Sequence, residues 1–321
     1  MKTSVCITVY NEEKSISELI KALLSQSKKP GEIAIVDGGS SDKTVELIRH
    51  WQKKDKKVRL LVRRCSRSEG RNLSIELARN NVIAVTDAGC VPKKDWLEKL
   101  VLPFKNKKVE MVAGFYEMKG DKPIQRAFSV FLGVHKKDFD TSFLPSTRSV
   151  AFKKKLWGEI GGFPESLDDT AEDTIFNIKA ANYGVKMAHT KDAIVEWGVP
   201  ETIKEGINKM YLYAKGDAKT KVWKHPTKGL ASHNMKVLSI LFRYLLGLMV
   251  LLLSYKYPHL LYAVIGMIFI YLFWIFRKVY VKTQDIYAAF WGIVIQFLSD
   301  LIVVKGFLSG INKNNNINND E

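Results

Sequence analysis

Apolar and polar positions follow two alternating periods along the first part of the chain. "SVCITVY" is a short, nearly continuous apolar run and predicts a strand; "EKSISELIKALLSQ" then sets Ile16, Leu19, Ile20, Leu23 and Leu24 on one helical face. The same alternation repeats. "EIAIVD", "VRLLVR" and "VIAVTD" predict strands, and "SDKTVELIRHW" and "EGRNLSIELAR" predict helices, the first capped by Ser41 or Asp42. Strands and helices in βαβαβαβ order imply a parallel sheet covered by helices on both faces. Ligands of such sheets bind beyond the carboxyl ends of the strands. Tyr10, Asn11 and Glu12 follow the first strand, Asp37 and Gly38 the second, and Asp87 the fourth.

The pattern changes abruptly near Asn234. Three long apolar runs follow, 237–255, 260–276 and 286–304. Each is about as long as the roughly 17 to 25 residues that cross a hydrocarbon core. The expected division is therefore a domain over 1–230, three membrane-crossing helices within 231–310, and a tail over 311–321. Arg243 near the start of the first run can snorkel, whereas Gln296 and Asp300 weaken the third as a lone span. Basic residues set the orientation. Lys221, Lys224, Lys228 and Lys236 precede the first run, and Arg277, Lys278 and Lys282 lie between the second and third, against Lys256 and His259 in the first turn. This places the N-terminal domain in the cytoplasm of a multi-pass cell-membrane protein. It places the Asn-rich tail, disordered by composition, outside.

Composition adds limits. The chain of 321 residues carries 50 Lys+Arg and 33 Asp+Glu, a formal net charge of +17, which favours a polyanionic partner. The basic residues are spread over helices and membrane flanks with no nucleic-acid motif, so nucleic acid is not expected as a partner. Three separated cysteines, Cys6, Cys65 and Cys90, give neither a zinc spacing nor a disulfide framework. The N-terminus turns polar after one strand and does not read as a signal peptide.

The candidate chemistry lies at the strand ends. In "IVDGGSSDKT" Asp37 can accept from a base or ribose while Gly38 lets a ligand approach the backbone, or Asp37 can simply close a tight turn. Arg71, near a helix start, can bridge phosphate oxygens or remain a solvated basic end. Glu172 and Asp173, before a helical stretch, can cap that helix or present a general base. Neither GxGxxG nor GxxxxGK[ST] is present.

Together "ITVYNEE", "VDGGSSDKT", "GRN", "TDAGC" and "GGFPE…AEDTIFNIKAANYG" resemble, in order and spacing over residues 3–220, the inverting family 2 glycosyltransferases of GT-A fold. The resemblance implies a Rossmann-like, mostly parallel sheet. It implies transfer of a sugar from a UDP- or GDP-linked donor to a hydroxyl. It places Thr8, Tyr10, Glu12, Asp37 and Gly38 around the nucleotide and Arg71 near the donor. Asp87 falls at the DxD position, which holds a divalent metal, Mg²⁺ or Mn²⁺, on the diphosphate. Asp173, beside Glu172, matches the catalytic base. Gly89 departs from the pattern, because the family usually offers a second acid there. Mg²⁺ keeps waters and takes phosphate oxygens, so Asp87 alone can anchor it.

Trp197, Met210, Tyr211, Tyr213 and Trp223 among many lysines suit a stretch lying on a membrane surface. With the apolar runs, this favours a lipid-linked or surface glycan acceptor, as in cell-envelope polysaccharide assembly. A polyprenyl-phosphate glycosyl synthase is the alternative, although "DAGCVP" departs from that group's motif. A non-catalytic scaffold that binds nucleotide sugar is another. No QxxRW stretch points to a processive synthase.

Overall fold

A computed structural model describes residues 1–165, 171–221 and 233–312. The tail 313–321, Trp223, Lys224 and Lys228 lie outside the described residues. The chain forms two compact units: Met1–Met118 with Val134–Gly198, and Lys119–Gly133 with Val199–Glu321.

The first unit is built on a sheet of eight strands. In chain order these are β1 (Thr3–Val9), β2 (Glu32–Asp37), β3 (Val58–Val62), β4 (Val82–Val85), β5 (Cys90–Pro92), β6 (Met111–Lys119), β7 (Val150–Lys153) and β8 (Met187–Gly198). The spatial order is β3-β2-β1-β4-β7-β6-β8-β5. The first four strands run parallel, as their alternation with helices requires. Beyond β4 the sheet turns antiparallel through β7, β6 and the β5–β8 pair. The result is a mostly parallel but mixed sheet.

Both faces of β1 are buried, and its side chains divide with period two. Val5, Ile7 and Val9 meet Ile16, Leu19, Ile20 and Leu23 of helix α1 (Ile16–Leu24). Cys6 faces the opposite way, into a cluster with Ile75, Phe152, Phe163 and Phe176. Each buried Leu or Ile of α1 contributes about 1.5–3 kcal/mol. Helix α2 (Thr44–Lys54) begins two residues after Asp42, whose Oδ1 accepts from Thr44 N at 3.0 Å. Helix α3 (Arg67–Leu77) starts from Ser66, whose hydroxyl accepts from Glu69 N. Three further helices complete this unit: α4 (Trp96–Val101), α6 (Lys154–Glu159) and α7 (Glu172–Asn182).

Between β6 and β7 the chain leaves this unit to form α5 (Pro123–Leu132). Helix α5 groups with α8 (Ile203–Lys219), α9 (His233–Ser254), α10 (Leu260–Thr283) and α11 (Ile286–Asn312). The last three are long and apolar enough to cross a membrane, by length and composition. Helices α10 and α11 run past the expected ends at 276 and 304, because Arg277, Lys278 and Lys305 continue the helical turn without breaking it.

One close approach fixes α3 against β1. A Cβ on Gly70 would stand 2.4 Å from Thr8 Cγ2, a stiff β-branched side chain. Gly70→Ala is therefore expected to destabilise the unit by about 1–3 kcal/mol through overpacking. Gly158, inside α6, has nothing within 4 Å of such a Cβ. Gly158→Ala is expected to gain about 0.5–1 kcal/mol from helix propensity. Denaturant midpoints of the two variants against the parent protein check both signs.

Candidate functional site at the carboxyl rim of the sheet

The register brings the strand ends together. Val9 pairs with Asp37, and Cys6 with Val85, so the residues after β1, β2 and β4 share one rim. Asp87 follows β4 by two residues. It is met there by Arg71, the fifth residue of α3, whose guanidinium is buried. Arg71 Nη2 donates to Asp87 Oδ1 at 2.8 Å, and Nη1 donates to Glu172 Oε1. One planar fork thus joins two carboxylates 85 positions apart in the sequence, the geometry for which arginine is suited. The second oxygen of Asp87 accepts from Thr147 Oγ1 at 3.1 Å, and the side chain remains 26% exposed.

The charges act on one another strongly because the cluster is largely dry. Burial raises the carboxyl pKa of Asp87, but the charges of Arg71 and then Arg148 more than offset it and hold the value below the usual range. Glu172 follows the same logic, with burial outweighed by Arg71 and Arg67. Asp173 is the exception. Burial and the adjacent Glu172 charge push its pKa up, and Arg71 and Arg148 only partly oppose them. Two neighbouring acids are thus driven apart in proton affinity.

Glu172 and Asp173 open α7, and Asp173 Oδ1 accepts from Thr174 N at 2.8 Å. Ala171 before them has φ 62°, in the left-handed region that alanine seldom occupies. That conformation costs on the order of 1–3 kcal/mol and is typical of residues at functional sites.

Arg148 and Thr147 carried no motif in the sequence. Arg148 lies on the Trp197 ring, 3.6 Å from its centroid, with Tyr116 at 5.0 Å and Ser146 Oγ at 2.7 Å. The three aromatic and hydroxyl partners come from β8, β6 and the approach to β7. Trp197, which the sequence groups with membrane-surface residues, instead stands on β8 as the platform for this guanidinium. Met210 of that group is buried in the second unit.

The loops after β1 and β2 are laced together. Asn11, at φ 53°, accepts from Ser41 N at 2.9 Å and donates its own N–H to Ser40 Oγ at 2.8 Å, while Glu12 N donates to Thr44 Oγ1 at 2.7 Å. Asp37 is fully buried, accepting from Gly39 N at 3.0 Å, Ser40 N at 2.9 Å and Ser40 Oγ at 2.6 Å. It therefore sits on the shared rim but acts within its own loop, apart from the Arg71 cluster. The Tyr10 ring is exposed beside Gly38, 3.8 Å from the place a Cβ would take. Thr8 Oγ1 is buried without a hydrogen-bond partner among the described residues.

Gly89 has φ 77°, which glycine adopts without cost. Glu12 Oε2 lies 4.0 Å from the position of a Cβ there. An acid at this position would take on a left-handed backbone and stand near a second carboxylate. Among the described residues no group of three His, Cys, Asp or Glu side chains is placed to enclose a metal ion. Asp87 would give a cation a single carboxylate, already shared with Arg71 and Thr147, which suits only a hard cation that brings phosphate oxygens of its own. Cys90 is buried, and burial pushes its thiol up to about 12, which leaves it neutral and a poor ligand.

Residues 4–157 match the family described as Glycosyl transferase family 2, and residues 126–277 match Glycosyl transferase family group 2. The glycosyltransferase AglE of Haloferax volcanii is 26% identical over 60% of this chain and 65% of its own length. The glycosyltransferase GlyG of Streptococcus pneumoniae is 28% identical over 35% of this chain and 38% of its own. The chain thus spans less than two thirds of the length of these curated relatives. A mannosyltransferase from Pyrobaculum calidifontis, solved with GDP-Man and Mn²⁺, superposes with a TM-score of 0.53 at 21% identity, covering 68% of this chain and 62% of that one. That likeness is one of fold, the GT-A arrangement of a mixed, mostly parallel sheet. The two family matches overlap at 126–157 and together reach from residue 4 to residue 277, so the chain is similar to family 2 and family group 2 glycosyltransferases over most of its length.

Proposed function

We propose that the first unit transfers a sugar, with inversion, from a UDP- or GDP-linked donor to a hydroxyl of a lipid-linked glycan. The observation that carries this reading is the Arg71 fork between Asp87 and Glu172, which sets Asp173 beside a rim-facing carboxylate. In the reading, the donor lies along the rim from Tyr10 and Gly38 towards Asp87. The acceptor hydroxyl gives its proton to an Asp173 oxygen as it attacks the anomeric carbon. The bond from that carbon to the diphosphate breaks on the opposite face, and the electron pair leaves with the nucleotide diphosphate. No protein nucleophile takes part.

Asp173 suits the role of base because its proton affinity is raised while its neighbours remain charged. Arg71 keeps Glu172 and Asp87 ionised and in place. Arg148, held flat on Trp197, adds positive charge near the same carboxylates. Asp87 would hold a divalent cation that, when bound, offsets negative charge growing on the departing diphosphate. The mannosyltransferase with GDP-Man and Mn²⁺ supports both a nucleotide-sugar donor and such a cation. The apolar helices of the second unit support an acceptor held in a membrane.

Asp173→Asn is expected to lower the transfer rate by about 10²–10⁴-fold, the usual worth of a positioned base, while leaving donor binding near the parent value. Single-turnover assays with a panel of nucleotide sugars, beside thermal-shift titrations of the same donors, check the two halves. Parent and variant equally silent in transfer across the panel would instead favour a binding scaffold. The acid limb of the kcat/KM profile is expected above the ordinary aspartate value of about 3.9. The carboxylate is the active form, so activity falls as pH drops through the raised value, and Asp173→Glu should move the limb.

Arg71→Met leaves two partly buried carboxylates without their partner. A loss of about 3–5 kcal/mol is expected near neutral pH. The paired carboxylates have depressed values in the parent, so its Arg71 contribution is present above their unfolded values and fades on acidification. The deficit of the variant should therefore shrink as pH falls. Denaturation curves of both proteins from pH 7 to about pH 2.5, across the window below the unfolded carboxylate values of about 4, test the trend.

A further inference from the structure

Helix α11 has 27 residues and the composition of a membrane span, but its packing is one-sided. Ala288, Gly292, Ile295, Ser299, Val303 and Gly310 lie on a covered face along its whole length. Tyr287, Phe290, Val294, Phe297, Leu301 and Leu308 form an exposed apolar stripe on the other.

The first half of the covered face packs on α10, with Gly292 against Val279, and the C-terminal half on α8, a helix that does not belong in hydrocarbon. A Cβ on Gly306 would stand 2.6 Å from Tyr211 O and 2.9 Å from Ala214 Cβ. One on Gly310 would stand 2.5 Å from Lys215 O and 2.6 Å from Ala218 Cβ. Four residues along α11 thus match four along α8 in the same direction, so the two helices run side by side. Helix α8 carries Lys204, Glu205, Lys209, Lys215, Asp217 and Lys219. At the other end of α11, Asp285 Oδ2 accepts from Arg126 Nε of α5 at 2.7 Å. Phe128 of α5 in turn lies against Gly206 of α8. Polar companions therefore meet α11 at its first turn and along its C-terminal half, and a crossing would draw the charges of α8 into the bilayer.

The α9–α10 hairpin is different. Beyond Arg243 and Tyr271, residues such as Leu245, Leu252, Ile265 and Phe269 are exposed on every side of the two helices. Asp300 stands near the middle of α11, where a crossing helix would meet the bilayer centre. It is buried, with Arg243 Nη2 at 2.5 Å, Gln296 Nε2 at 2.9 Å and Tyr244 OH at 3.1 Å.

We propose that α11 does not cross the membrane: with α5 and α8 behind it, it lies along one face of a lipid bilayer, its apolar stripe in the acyl boundary, and only the α9–α10 hairpin enters the core. Amphipathic helices with one apolar face seat themselves in this way. The Arg243–Asp300 group then stands at the root of the hairpin, at headgroup depth, where its charges keep access to water. The residues after α11 remain on the same side of the membrane as α8, whereas three crossings would put them on the opposite side. This inference concerns the second unit alone and stands whether or not the first transfers sugar.

The test uses the full chain with Cys65→Ser and one added cysteine, at Asn208→Cys on exposed α8 or at Asn319→Cys after α11. Intact cells and inside-out vesicles are treated with a membrane-impermeant maleimide. Both positions are expected in the membrane fraction, labelled from the same side and protected from the other. Labelling from opposite sides, or recovery of the chain in the soluble fraction, overturns the proposal. Leu301→Lys supplies a second reading, because a lysine at the acyl boundary snorkels. It should leave the membrane-bound fraction within twofold of the parent; a loss of tenfold or more indicates a buried span and also overturns it.

Discussion

The acidic end of the sheet's rim depends on one buried cation. Arg71 reaches Asp87 with one nitrogen and Glu172 with the other, and these acids come from a strand end and a helix start 85 residues apart in sequence. Removing two carboxylates from water is costly unless a charge of opposite sign meets them in good geometry. The planar guanidinium provides that, with Thr147 taking an oxygen that the fork leaves over. Because Glu172 is pinned in its charged form, Asp173 next to it feels a permanent negative neighbour. The same interaction that closes the sheet onto α7 thus sets the proton affinity of the adjacent acid. Stability and chemistry are joined at one residue, and neither can be altered there alone.

The parallel half of the sheet was legible because burial on both faces produces runs such as "EIAIVD" that admit few other readings. The antiparallel half was not. β5 has three residues, and its partner β8 lies about a hundred positions later, so no local period marks the pair. Arg71 stood at a helix start, where a basic residue is ordinarily solvated. What buries it is α7, and the meeting of α3 with α7 is a tertiary event. Arg148 was silent for a similar reason, since its platform Trp197 comes from another strand. At Gly89 the absence of an acid was visible in the sequence, but its backbone angle and the nearby Glu12 carboxylate were not. The apolar helices were evident from composition, while the companions along α11 were hidden, because α5 and α8 carry ordinary mixed sequences.

The loops that follow β1 and β2 are stiffened before any ligand arrives. Asn11, Ser40, Ser41 and Thr44 exchange hydrogen bonds across them, and Asp37 ties the second loop to itself. A molecule bound at this rim meets donors and acceptors already in position, so little ordering of the chain opposes its binding. Tyr10, in contrast, stands exposed beside Gly38 and has room to adjust.

The placement of α5 has a consequence for the order of assembly. Its Arg126 pairs with Asp285, a residue synthesised 159 positions later. At typical elongation speeds of about 5–20 residues per second, the ribosome needs on the order of ten seconds or more to supply that partner. During the first part of that interval the strands on either side of α5 can already pair, while the apolar side of this short helix waits for α8, whose Gly206 receives Phe128. The nascent protein therefore passes through a stage in which its sheet is nearly whole and an unsheltered greasy loop projects from it. That loop is covered in two steps, first by α8 and then by α11.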